Sequence, residues 1–177
     1  MTTLTRHWAP ARRWPTLAGI AFAAITAYDL ATGVDLAQII AASALIYLGA
    51  AALGRQSTAW PLFLGTFVVI TIAKIAGLDS TVVLLALAVP LVAYAVIEHR
   101  DITVQGLAVL AFGAVALTAL VVNEQLGAYL VAAGLLGHTA WDFYHFRADR
   151  VVARSLAEFC MVLDTLLALA IVLAELT

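Results

Sequence analysis

The sequence predicts an all-α fold, a polytopic membrane helix bundle of seven transmembrane helices, on three observations. Of its 177 residues, 64% are hydrophobic and 11% charged, where a soluble domain carries roughly 45–50% and about 25%. Apolar runs of about 20 residues, the length that crosses a bilayer, recur along the chain. Turn-forming and charged residues separate those runs. Seven spans use roughly 140 residues and leave no room for a second, soluble domain. The predicted organisation is an interfacial arm over 1–14 and one transmembrane domain over 15–177.

In order, the spans are 15–33, 36–54, 59–77, 81–98, 102–122, 125–146 and 153–175. The first follows an arginine-rich arm. Thr32-Gly33-Val34-Asp35 ends it, Gly54-Arg55-Gln56-Ser57 ends the second, and Gly77-Leu78-Asp79-Ser80 ends the third, with residues suited to helix caps. Pro90 inside the fourth span has no N–H to donate, which predicts a kink and a freed carbonyl at Ala86. The fifth and sixth must part at Asn123-Glu124, because 102–147 as one helix would measure about 69 Å, roughly twice the hydrocarbon thickness. Arg147-Ala148-Asp149-Arg150 then turns the chain into the last span.

Basic residues alternate with the loops. Arg6, Arg12, Arg13, Arg55, Arg100, Arg147, Arg150 and Arg154 fall on one side, and Asp35, Asp79 and Glu124 on the other. Cytoplasmic loops carry the excess of Lys and Arg, so the N-terminus is expected inside and the C-terminus outside, in a multi-pass protein of the cell membrane. Trp8, Trp14 and Trp60 would anchor the cytoplasmic interface. A competing outline, a signal peptide over 1–28, is disfavoured because the apolar run continues past Ala24 to Leu30. A net charge of −2 removes the basic surface that nucleic acids require, and the single cysteine, Cys160, excludes an intramolecular disulfide.

Loops this short leave the chemistry to the spans. An ionisable residue at a helix centre costs on the order of 2.5–3.5 kcal/mol on insertion scales, so such residues face the interior and have partners. His138, Asp142 and His145 lie within about 60° of one another at about 100° per residue, so they share one helix face, with Gly134 a turn earlier. Cys160 and Asp164, four apart, share a face of the seventh span beside Ala153, Ala157 and Ala168. A short turn makes these two spans antiparallel and places His138 between the depths of Cys160 and Asp164.

Imidazole, carboxylate and thiolate are the donors zinc uses, and two His with one carboxylate also suit non-haem iron. The candidate metal ligands are therefore His138, Asp142, His145, Cys160 and Asp164, for zinc or another divalent metal. In an enzyme of this kind, metal-bound water would attack an amphiphilic substrate drawn from the bilayer, with Asp142 or Asp164 as proton acceptor. Two other classes compete: a proton- or cation-coupled transporter using His138, Asp142 and Asp164 as a relay, and a structural subunit whose polar network only locks helices together.

Other polar residues have plainer readings. Glu98 and His99 suit a solvated helix end, Asp29 and Lys74 an interhelical salt bridge, and Glu158 an exposed i,i+4 pair with Arg154. The stretch from Gly137 to Asp164, with His-x3-Asp-x2-His followed by Cys-x3-Asp, resembles uncharacterised small bacterial multi-pass membrane proteins with a similar pattern, and that resemblance implies no particular activity. No P-loop, G-x-S-x-G, H-E-x-x-H or C-x-x-C-H occurs in the chain.

Overall fold

A computed structural model describes residues 13–28 and 33–176, and within them every regular element is helical. The helices are α1 (Trp14–Tyr28), α2 (Ala37–Leu53), α3 (Ala59–Ile75), α4 (Ser80–Ala86), α5 (Ala88–Ile97), α6 (Thr103–Val121), α7 (Glu124–Ala148) and α8 (Arg154–Leu176), with short 3-10 turns at Gly33–Leu36 and Gln56–Thr58. Taking α4 and α5 as one interrupted rod gives seven rods. Five are long and apolar enough to cross a membrane: Gly33–Leu53, Gln56–Ile75, Ser80–Ile97, Thr103–Val121 and Arg154–Leu176. Of the other two, α1 has only 15 residues, and α7 is long but carries the His and Asp residues of interest. Arg6, Trp8, Arg12 and Asp29 lie outside the described residues.

The helix ends follow the local chemistry. Gly54 takes a left-handed conformation (φ 64°), its N–H reaches the Ala51 carbonyl, and the next N–H reaches Ala50, which together close α2 in a Schellman motif. The same pattern ends α3 at Gly77 and ends α5 at His99, which adopts φ 53° without being glycine. Asp79 caps α4 by accepting the Val82 N–H at 2.9 Å, and Asn123 caps α7 by accepting the Leu126 N–H at 2.9 Å. The fourth rod breaks at Leu87, three residues before Pro90, where the ring removes the bond to Ala86 and crowds the preceding turn.

Burial identifies the centre. The most apolar stretch of the rod Gly33–Leu53 is 78% buried, against 17% in Gln56–Ile75 and 33% in Thr103–Val121, so α2 runs through the interior while the outer helices display Leu64, Val68, Ile72, Leu107 and Leu110. α7 and α8 pack as an antiparallel pair, α1 lies on α8, and α2 touches α3, α4, α5, α6 and α7. Gly134 permits the crossing of α7 with α2 and α6, since a Cβ there would meet Ile40 Cδ1 at 2.6 Å and Val115 Cγ1 at 3.1 Å.

The loops sort by end. Gln56 Nε2 donates to the Asp149 carbonyl at 2.7 Å, the Arg100 guanidinium lies against Gly54, and Trp14 meets Trp60 at 5.2 Å between ring centroids. The arginine-bearing turns and the start of α1 therefore share one end of the bundle. Val34, Asp35, Lys74, Asp79 and Leu120 border a common cavity at the other.

Candidate metal centre

Three helices build the polar centre. α7 supplies His138 and Asp142 one turn apart, α8 supplies Asp164, and α2 supplies Tyr47. All four side chains are enclosed, with His138, Asp142 and Asp164 at 0% exposure and Tyr47 at 2%. One ligand atom from each of His138, Asp142 and Asp164 lies within 4.8 Å of the other two. His138 Nδ1 is 2.8 Å from Asp164 Oδ2 and 3.1 Å from Asp142 Oδ2. The Tyr47 hydroxyl donates to Asp142 Oδ1 at 2.7 Å.

The hydrogen bonds do not close this group. One Nδ1 carries at most one proton, and the shorter, better contact assigns it to Asp164. Asp142 Oδ2, although only 3.1 Å from the same nitrogen, is then left without a donor, as are Asp164 Oδ1 and His138 Nε2. Three orphaned polar atoms on three fully buried residues are costly, since each unpaired buried group forfeits about 1–3 kcal/mol and a charged one more. A divalent cation on Nδ1 and the two Oδ2 atoms, in place of the Nδ1 proton, would balance the two carboxylates and give Asp142 Oδ2 its missing partner, while Nε2 and Asp164 Oδ1 would stay unpartnered. Donors held about 2.0–2.2 Å from a metal stand roughly 2.9–3.5 Å apart, so the two nitrogen–oxygen separations need open by only a few tenths of an ångström.

The other predicted ligands sit apart from this trio. His145 Nδ1 is 2.9 Å from the Trp141 carbonyl, and its ring packs on Tyr47 (4.8 Å between centroids) and Trp141 (4.7 Å). Cys160 is buried in the apolar core, one turn before Asp164 on α8, among residues such as Phe159 and Leu163. Neither belongs to the group of convergent ligand atoms. The structure gathers one His and two Asp of the five candidates, where the sequence spacing allowed all five to converge.

Several neighbouring readings change. Glu158 does not pair with Arg154: Thr16 on α1 donates to its carboxylate, and the Arg154 guanidinium lies 4.5 Å from the Phe146 ring centroid. Glu98 and His99 are exposed at the end of α5, and α5 packs against α2 and α4, so they form no wall of the centre. The expected Asp29–Lys74 bridge lies outside the described residues. Tyr47 is the member of this polar group that sequence reasoning missed. Its signal was a phenol within an α2 otherwise made almost entirely of Ala, Leu and Ile, one turn after Ser43.

Below the trio, Thr139 Oγ1 and Thr165 Oγ1 meet at 3.2 Å, and each hydroxyl also donates to the carbonyl one turn back in its own helix. With the His138–Asp164 contact they form two rungs between α7 and α8. Both contacts join the two helices at one level, where neighbouring residues of α7 meet neighbouring residues of α8, and so bring Asp164 to the level of His138. Comparison with known proteins finds no matching family model, no matching curated protein and no matching solved structure.

Proposed function

We propose that this chain is an integral protein of the bacterial inner membrane, with seven spans, its N-terminus inside and its C-terminus outside, that holds one divalent cation in the interior of the bundle. His138, Asp142 and Asp164 are the ligands, and Tyr47 orients Asp142 from behind. The observation that carries this reading is the convergence of one ligand atom from each of three fully buried residues, with His138 Nδ1 close to both Asp142 Oδ2 and Asp164 Oδ2 and Asp142 Oδ2 lacking a hydrogen-bond donor. One nitrogen and two oxygens suit zinc, manganese or ferrous iron, with fourth and further positions open to water or substrate.

A divalent cation held by His138, Asp142 and Asp164 would supply Lewis-acid and water-activating chemistry. Asp164 Oδ1, which has no hydrogen-bond partner, would be the carboxylate oxygen left to accept a proton, with Asp142 Oδ1 engaged by Tyr47, and an amphiphilic substrate reached from the bilayer is the class that suits a centre enclosed by helices. The test is metal content of the purified protein. About one equivalent of metal per chain, reduced to background in a His138→Ala/Asp164→Asn variant that still purifies as a folded species, supports the reading. Equal background content in both chains overturns it.

A second reading rests on a separate feature. Tyr47, Asp142, His138 and Asp164 form a continuous polar chain across α2, α7 and α8, the kind of arrangement that passes protons in membrane carriers. It predicts pH-dependent flux in reconstituted vesicles, lost on Asp164→Asn. A purely structural role is the weakest account, because interhelical hydrogen bonds average about 0.6 kcal/mol and a half-satisfied network contributes less.

A further inference from the structure

At the end of the bundle away from the arginine-bearing turns lies a cavity of about 190 Å³, lined by Val34, Asp35, Gln38, Lys74, Leu78, Asp79, Ser80, Thr81 and Leu120. Gln38 and Tyr47 are nine residues apart on α2, so the cavity sits about 14 Å along the axis from the metal centre and is separate from it. The cavity has room for several waters and for a polar headgroup.

The charges around it are mixed. Lys74, the only lysine in the sequence, stands with two carboxylates, Asp35 and Asp79. Among the described residues no ion pair reaches Lys74, so the cavity keeps its cation and its anions apart. Asp79 is fixed in place because its Oδ1 caps α4 through the Val82 N–H at 2.9 Å. Two buried hydroxyl residues, Ser80 and Thr81, and half-buried Gln38 add neutral hydrogen-bonding groups. A lone anion would meet two repelling carboxylates, and a lone cation would meet the ammonium. A ligand carrying both charges a few ångströms apart satisfies each wall.

The position narrows the class further. The apolar helix α3 ends and α4 begins here, and Val34, Leu78 and Leu120 make the remaining wall apolar. That is the setting of a membrane–water interface, where a headgroup is polar and the atoms below it are not.

We propose that this cavity binds a zwitterionic group with a phosphate and a primary ammonium, as in an ethanolamine phospholipid. Lys74 pairs with the phosphate, and Asp79 accepts from the ammonium. The chemistry is shared by the lipid and by free phosphoethanolamine, and the experiment separates the two.

Delipidated protein in non-ionic detergent is titrated calorimetrically with short-chain phosphatidylethanolamine, short-chain phosphatidylglycerol and free phosphoethanolamine. The zwitterionic lipid is expected to bind best. Lys74→Gln weakens it about tenfold, the loss of one charge-assisted hydrogen bond. Asp79→Asn keeps a capping acceptor, and so keeps the fold, yet shifts preference toward phosphatidylglycerol by removing a repelling charge. Equal binding of free phosphoethanolamine and the lipid supports the site and assigns it to a soluble zwitterion. Binding of phosphatidylglycerol to the wild-type chain as tight as that of the zwitterionic lipid, or no change on Lys74→Gln, overturns the proposal.

Discussion

Tyr47 donates its hydroxyl to Asp142 across 95 positions of sequence, at 2.7 Å and with both side chains buried. The contact fixes which Asp142 oxygen turns away from α2, and that oxygen, Oδ2, is the one facing His138 Nδ1. Removing the hydroxyl while keeping the ring leaves the packing on His138 and His145 in place. Tyr47→Phe is therefore expected to lower divalent-metal affinity about 10–100-fold, the usual effect of losing a group that orients a ligand, with little change in helicity. Competition titration against a chromophoric chelator measures it, and unchanged affinity would dissociate Tyr47 from the centre.

Asp164→Asn separates stability from binding. In the metal-free chain two carboxylates crowd one imidazole nitrogen, so neutralising one removes repulsion between buried charges. The metal-free variant should unfold at the same or a higher temperature than the metal-free wild type, while the gain in Tm on adding metal is lost. A large loss of stability in the metal-free variant would show that Asp164 stabilises the bundle on its own.

Metal removal should act on the wild-type chain in the opposite sense. A ligand that binds only the folded state at 100 times its Kd contributes about 2.7 kcal/mol. Chelation is expected to lower Tm by several degrees, reversibly on adding the metal back. The His138→Ala chain should show no such response in the same thermal scan.

A fourth prediction concerns the scaffold away from the centre. A Cβ at Gly127 would lie 2.5 Å from the Ala119 carbonyl oxygen and 2.8 Å from Val34 Cγ2, and backbone cannot yield as a side chain does. Gly127→Ala is expected to cost about 1–3 kcal/mol, as overpacking does, with metal stoichiometry retained in the fraction that folds. Denaturation in detergent, paired with metal analysis, distinguishes this from damage to the centre.

Much of the fold was legible because lipid-compatible helices leave a one-dimensional trace. Gly54, Gly77, Asp79 and Asn123 were readable as helix ends and serve as such, and Pro90 marked the interrupted rod. The common face of His138 and Asp142 also followed from spacing, and the short α7–α8 turn placed His138 between the levels of Cys160 and Asp164, about half a turn from the contact it makes with Asp164. What spacing could not give was rotation about each axis and the identity of the third helix. His145 shares the stripe of His138, yet its Nδ1 turns to its own helix at the Trp141 carbonyl. Cys160 shares the stripe of Asp164, yet it packs into the apolar core. Tyr47 comes from a helix 95 positions away, and no local pattern links the two.

X-ray absorption at the metal edge of the one-to-one complex tests the central claim most directly. The account predicts nitrogen and oxygen donors only, at about 2.0–2.2 Å, with the scattering signature of a single imidazole, abolished in the Asp142→Asn/Asp164→Asn chain. A sulfur donor at about 2.3 Å, a second imidazole, or a spectrum unchanged by the double substitution would place the metal elsewhere and contradict it.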